Sequence, residues 1–329
     1  MQYKKSIASN KVIFFGTSEF AVPALVALQA TRLDSEVDPR RAGYQLQAVI
    51  TQPDKPKGRK QVLSPSPVKV MAQKFNLQVL QYSTLKSPEV IEKIKSFDAV
   101  CAVVASYGKI IPQEILTAFP KGCINLHPSL LPKYRGPSPI QTAIFNGDST
   151  TGTSIMVLDA ELDHGPILAQ KKIKIAASDT YLTLHNKLAE ISTELLVKVL
   201  PRYLSGKVTI TAQNHKKATF TKLLTRQDGK IDWRRSAPEI HNQIRAFTPW
   251  PGTWAVLNGK RLKILRAHPA TALDQKLNPG EVSQKSKKIL IGCGLNGVLE
   301  VGELQLEGKI AMSVQAFLKE NEIEGVKFL

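Results

Sequence analysis

Along the first two-thirds of the chain, short apolar runs alternate with amphipathic stretches. Val12–Gly16, Leu46–Thr51, Ala99–Ala105, Gly122–Leu126 and Gly152–Leu158 read as strands, and several, such as DAVCAVVAS, are apolar almost without interruption. An unbroken apolar run of this length suits a strand of a parallel sheet covered on both faces. Between the runs, Phe20–Gln29, Pro67–Phe75, Pro88–Ser96 and Pro139–Phe145 read as helices. The longest helical stretch, Thr180–Tyr203, places Leu184, Leu188, Ile191, Leu195 and Val199 at spacings of three and four, with Asp179 ahead of it as an N-cap. Alternation of this kind predicts right-handed βαβ units and an α/β fold: a Rossmann-like, doubly wound, mostly parallel sheet. Ligands in such sheets sit beyond the carboxyl ends of the strands, so chemistry is sought there.

The pattern changes after residue 203. Residues 204–221 (LSGKVTITAQNHKKATFT) are polar and basic and read as a linker. One helix is predicted beyond them, Pro238–Ala246, followed by short strand-like pieces separated by turn signals. These are Thr253–Leu257, an NGK turn at Asn258–Lys260, Arg261–Ala267, Gly280–Val282, Ile289–Gly292 and Gly297–Leu304. Many short strands with such turns predict a small OB-like β-barrel. The expected organisation is a catalytic domain over residues 1–203, a basic linker over 204–221 and an OB-like domain over 222–329.

Composition narrows the class. The 329 residues are 43% hydrophobic and 22% charged, as in globular proteins. No run of about 18 apolar residues is present, and the opening MQYKKSIASNK has no apolar signal stretch, so no membrane is expected. Cys101, Cys123 and Cys293 show no metal-ligand spacing and cannot all pair, which points to a reducing, cytoplasmic setting and no metal. The formal charge is +18. Residues 203–280 hold 14 Lys/Arg against 4 Asp/Glu, a net +10 in well under half the length. That concentration fits either a nucleic-acid footprint or a solvated basic face.

Three segments could carry chemistry. In CINLHPSLLPKYRG, Asn125 and His127 are one residue apart at the end of an apolar strand, so period-two alternation points both to one face. An amide N–H and an imidazole N–H there can converge on a developing oxyanion. Pro128, Pro132, Pro137 and Pro139 exclude a helix and predict an ordered loop, a good ligand wall. In DAELDHG, Asp163 is either part of a solvated acidic turn or the partner that orients His127. An Asn/His/Asp set with no partner Ser or Cys is not a hydrolase triad and suits acyl transfer in which the substrate is the nucleophile. The third segment, TQPDKPKGRKQVLSPSPVKV, reads as an exposed mobile loop. Its Lys55, Lys57, Arg59 and Lys60 either grip phosphates or are incidental surface charge. GTSEF at the first strand end is neither GxGxxG nor a P-loop, so Gly16 reads as a turn glycine and no nucleotide cofactor is supported.

INLHPSLLPKYRG, TQPDKPKGR…PSPVKV, ELDHG and IDW…IRAFTPWPGTW together resemble the methionyl-tRNA formyltransferase family of folate-dependent formyltransferases, over nearly the whole chain. The resemblance implies catalytic roles for Asn125, His127 and Asp163. It implies tetrahydrofolate contacts at Ser129, Leu130, Leu131 and Pro132, and an acceptor-stem contact at Arg59. It further implies 10-formyltetrahydrofolate as formyl donor, initiator methionyl-tRNA as partner and a monomeric enzyme. Relatives acting on glycinamide ribonucleotide or an amino sugar are the alternatives, and outside this class a non-catalytic RNA-binding protein on the same scaffold. Residues 31–44 (TRLDSEVDPRRAGY) read as an insertion without a family role, and Pro128 stands where tRNA formyltransferases often have a small residue.

Overall fold

The computed structural model describes residues 10–37, 44–58, 60–270 and 276–328. By its own contacts the chain divides into two compact units. The first comprises residues 1–136, 152–173 and 185–220, and the second 137–151, 174–184 and 221–329.

The first unit is built on a seven-stranded sheet. Its strands are β1 (Lys11–Gly16), β2 (Gln45–Thr51), β5 (Val79–Gln81), β6 (Cys101–Ala105), β7 (Cys123–His127), β8 (Thr150–Val157) and β9 (Ile167–Lys174). The order across the sheet is β5-β2-β1-β6-β7-β8-β9. From β5 to β7 all neighbours are parallel, and β8 then runs antiparallel to β7. Chain order reverses on either side of β1, the hallmark of a doubly wound sheet. Every residue of β6 is buried, as are Val12 to Phe15 of β1, because helices cover both faces. Ile13, Phe15, Ile50, Ala102 and Val104 share one apolar cluster with Ile94, Ile115 and Phe119 from the flanking segments.

Helix boundaries follow local chemistry. Helix α2 (Pro67–Lys74) starts with Pro at its first position, and the Ser66 hydroxyl accepts from Lys69 N at 3.0 Å. That is the arrangement in which proline costs no hydrogen bond and serine satisfies an orphan donor. Helix α1 (Val22–Val37) is longer than its hydrophobic pattern predicts: residues 31–37 of the apparent insertion continue it, and 38–43 lie outside the described residues. Gly16 is a packing requirement. A Cβ there would approach Phe14 Cε1 to 2.6 Å and Ala21 Cβ to 2.9 Å.

The segment expected to be a loop after β2 is a two-stranded ribbon instead. In it β3 (Lys55–Lys57) pairs antiparallel with β4 (Val62–Ser64), matching Lys55 with Ser64 and Lys57 with Val62. Prolines and lysines disguise these strands in the sequence because neither shows a buried face. Residues 204–220, read from composition as a linker, are counted by their contacts within the first unit.

The second unit holds the antiparallel β domain: β10 (Thr253–Leu257), β11 (Lys260–Ala270), β12 (Val282–Lys285), β13 (Lys288–Gly292), β14 (Val298–Leu306) and the short β15 (Met312–Ser313). The sheet order is β10-β11-β14-β13-β12, with β15 on β14. Ile264, Ile289, Ile291, Leu299 and Val301 face one core, into which Ile240 and Ile244 of a helix spanning Ala237–Phe247 also pack. The Glu239 carboxylate at the start of that helix accepts from Ser236 N at 2.9 Å, closing its N-terminus. Phe145, from a helix of the same unit (Pro139–Phe145), stacks on Phe247 with ring centroids 5.3 Å apart.

Candidate active site

The carboxyl end of β7 places the first two candidate groups. Asn125 stands opposite Val104 of β6 and Met156 of β8, and His127 stands opposite Ser154. Leu126 points the other way into the core, so Asn125 and His127 share a face, as the alternation requires. His127 is buried and Asn125 is half-buried.

The chain beyond His127 is ordered by its own hydrogen bonds. Ser129 N donates to His127 O at 2.9 Å, and the Ser129 hydroxyl donates to Lys133 O at 2.6 Å. Ser154 of the neighbouring strand donates its hydroxyl to Ser129 O at 2.6 Å and accepts from Leu131 N at 3.0 Å. This bends the loop back, so that Tyr134 O lies 2.9 Å from His127 Nε2. Asp163 comes from the turn between β8 and β9, in a left-handed conformation at φ 46°. Its Oδ2 accepts from Gly136 N at 2.8 Å and lies 3.5 Å from His127 Nδ1, while its Oδ1 lies 3.5 Å from the donor Asn125 Nδ2.

The three groups predicted to act together are thus brought together, with Asp163 touching both of the others. The 3.5 Å contacts are at the long limit of hydrogen bonding, whereas the Gly136 bond is short; the loop therefore fixes the carboxylate more tightly than the histidine does. Contacts of this length between catalytic groups commonly tighten once substrate binds. Both ring nitrogens of His127 face acceptors, the carboxylate on one side and a carbonyl on the other. Only the doubly protonated ring can donate to both.

The other predicted residues distribute unevenly. Ser129 and Leu131 are 1% and 3% exposed and hold the loop together, which leaves Leu130 and Pro132, both half-buried, to present apolar surface. Lys57 and Lys60 are exposed on the ribbon; Lys55 Nζ, also there, donates to Gln52 Oε1 at 2.6 Å. Arg59 lies outside the described residues. Near the ribbon's base Asp54 accepts from Lys69 Nζ at 2.7 Å and Gln81 Nε2 at 2.8 Å, and the Lys69 bond above all holds its carboxyl below the usual range. His164, next to Asp163, is turned away to Asp159 Oδ2, 2.7 Å from its Nδ1. Tyr134, Gly136, Arg135 and Gln213 were not anticipated from sequence. The first two act through their main chain, which no side-chain pattern signals. Among the described residues no group of three or more His, Cys, Asp or Glu could hold a metal ion, and no helix is long and apolar enough to cross a membrane.

A Rossmann-like domain with this site, followed by an antiparallel β domain, defines a formyl transferase. Residues 10–200 match the family "Formyl transferase" and residues 223–322 match "Formyl transferase, C-terminal domain". The methionyl-tRNA formyltransferase of Geobacter metallireducens is 39% identical over 313 residues, 95% of this chain and 96% of its own length. That of Koribacter versatilis is 42% identical over 308 residues, 93% and 94% of the two chains. The chain belongs to the methionyl-tRNA formyltransferase family. A solved structure described as WlaRD, a sugar 3N-formyl transferase, has the same fold: TM-score 0.64 at 21% identity, covering 92% of this chain and 99% of that one.

Proposed function

We propose that this enzyme transfers the formyl group of 10-formyltetrahydrofolate to the α-amino group of initiator methionyl-tRNA. The observation that carries the reading is the meeting of Asn125, His127 and Asp163 at the carboxyl end of β7. A free α-amino group has a pKa of ~7.7–8.0, lowered further by the adjacent ester, so a neutral fraction exists near pH 7 without a strong base. The amine nitrogen bonds to the formyl carbon, and charge develops on the formyl oxygen. Asn125 donates to that oxygen through Nδ2, which has a second N–H beyond the one facing Asp163. His127 joins by exchanging the Tyr134 carbonyl for the substrate oxygen, while Asp163 holds the ring. The bond from the formyl carbon to N10 then breaks, and the amine's proton passes to N10 with help from His127 and Asp163.

Leu130 and Pro132 offer the donor an apolar wall. Lys57, Lys60 and the +10 of residues 203–280 supply the cations that a tRNA backbone needs. A monomer acting in the cytoplasm completes the proposal. The test is incubation with 10-formyltetrahydrofolate and charged initiator tRNA, with uncharged tRNA, charged elongator tRNA and an amino-sugar nucleotide as controls. Formylmethionine formed on initiator tRNA is expected, and formylation of the sugar alone would overturn the substrate assignment.

A further inference from the structure

No residue of 211–220 donates to or accepts from the reacting atoms in the scheme above, yet the segment is stitched to the supports of both His127 and Asp163. Thr211 exchanges two backbone hydrogen bonds with Ile167, at 2.8 and 2.9 Å, just past the turn that carries Asp163. Thr219 does the equivalent for the loop after β7. Its N donates to Pro132 O at 3.2 Å, its O accepts from Arg135 N at 2.8 Å, and its hydroxyl accepts from Tyr134 N at 2.9 Å. Tyr134 is the residue whose carbonyl faces His127.

Between these two attachments lies Gln213, only 5% exposed. Its Nε2 donates to Asp163 O at 2.9 Å and to Gly165 O at 2.7 Å. Its Oε1 accepts from Arg135 Nε at 3.2 Å and from Arg135 Nη2 at 2.9 Å. A primary amide has two N–H donors and two lone pairs, so this side chain is fully used. Arg135 is itself 3% exposed, and its Nη2 also lies 2.8 Å from His215 Nδ1. The amide therefore ties the turn of Asp163 to the loop bearing Tyr134 and Gly136.

We infer that Gln213 is a positioning residue for formyl transfer, holding Asp163 in register with His127; this rests on the catalytic reading of Asn125, His127 and Asp163 given above. Asp163 is not glycine and sits at φ 46°, a conformation that persists only where surrounding contacts enforce it. Its carboxylate must meet a ring nitrogen and an amide at once. A misplacement of ~1 Å in such an arrangement costs about 10²-fold in rate. Gln213 bonds the Asp163 main chain directly, and through Arg135 it bonds the residue between Tyr134 and Gly136, the two whose main chain touches His127 and Asp163.

The test compares Gln213→Leu, which removes all four hydrogen bonds, and Gln213→Glu, which keeps an acceptor for Arg135 and loses the two donations. Each is made in the full chain and in an Asp163→Asn background, and steady-state formylation of methionyl-tRNA and thermal unfolding are measured. Both Gln213 variants should lose about 10- to 100-fold in kcat with KM for the folate donor within about twofold. In the Asp163→Asn background the same changes should cost less than about twofold, because the residue they act through is already disabled. Wild-type kcat in either variant, or an equal loss in both backgrounds, overturns the inference. If Gln213→Leu does not fold, the Gln213→Glu pair decides by the same criterion. Wild-type turnover by Asp163→Asn itself would instead overturn the catalytic reading beneath it.

Discussion

The loop after β7 and the ribbon after β2 both leave carboxyl ends of the same sheet, and both are rich in proline and charge, yet they are built on opposite principles. In the first, polar groups are used inward: the Ser129 hydroxyl donates to Lys133 O, Arg135 donates to Gln213, Tyr134 O faces His127 and Gly136 N donates to Asp163. In the second, Lys57, Lys60, Val62 and Leu63 face solvent, with Val62 and Leu63 at 60% and 66% exposure. The first design suits chemistry, because donors aimed before the reaction need no reorganisation during it. The second suits capture of a large polyanion, where cations act over a Debye length and accuracy matters less.

The sharpest way to break that contrast is to remove donors from the ordered loop. His127→Ala and Asn125→Ala should each lower kcat by about 10²–10³-fold, ~2.7–4 kcal/mol of transition-state stabilisation, with little change in KM. Asp163→Asn retains shape but removes the charge opposite Nδ1, and should fall in the same range. A His127→Ala enzyme with wild-type turnover would show that the ordered loop serves only the fold.

Removing charge from the ribbon should act differently. The Lys57→Ala/Lys60→Ala double variant should raise KM for methionyl-tRNA roughly 10-fold near physiological salt and leave kcat and the folate KM unchanged. The slope of log KM against log salt should also become shallower by about 1.8, near 0.9 for each lost phosphate contact. An unchanged salt slope would remove the ribbon from tRNA capture.

The sequence pattern exposes the rigid parts of this molecule far better than their fastenings. Strands β1, β6 and β7 are legible because burial on both faces demands unbroken apolar runs, and Asn125 and His127 follow from the two-residue period alone. Asp163 is legible only as one of two readings, since its partner lies on another strand. By contrast, β9 (ILAQKKIK) has only Leu168 fully buried and exposes Gln170, Lys172 and Lys174, so its pattern resembles a polar surface segment. The ribbon strands have no buried face at all. Gln213 and Thr219 sit in a stretch whose composition says linker, and their partners are mostly main-chain atoms that leave no trace in a residue pattern.

The base of the ribbon sharpens the comparison, because order returns there within two residues of its last strand. Ser66 is 8% exposed; its hydroxyl caps α2 and lies 2.7 Å from Thr51 Oγ1. Ser66→Ala should destabilise the chain by ~1–2 kcal/mol, since it removes the cap and leaves a buried threonine hydroxyl short of a partner. For a protein of this size that lowers the unfolding temperature by only a few degrees, about 2–4 °C per kcal/mol. Alanine at exposed Val62 or Leu63 should leave it unchanged. Equal losses at tip and base would mean that the ribbon is tied into the fold along its whole length.

The smallest effect is a control on all pH-dependent tests of the site. His241, in the helix of the second unit, is pushed down from 6.5 to about 4, chiefly by burial and further by Arg245 and His268. The folded state therefore prefers the neutral ring. The stability linked to it is fully present above pH 6.5 and is lost as pH falls from there towards 4. His241 is only half-buried, so solvent screening reduces the effect well below what the full shift would imply. His241→Gln cannot charge, and its unfolding temperature should fall less than that of the wild-type chain between pH 7 and pH 5. Its kcat–pH profile should nevertheless overlay the wild-type profile, because in the proposed mechanism the donors to the formyl oxygen are Asn125 and His127, with Asp163 holding the ring. An acid limb of kcat that moves with His241→Gln would show that the measured profile reports unfolding and not the protonation of the site.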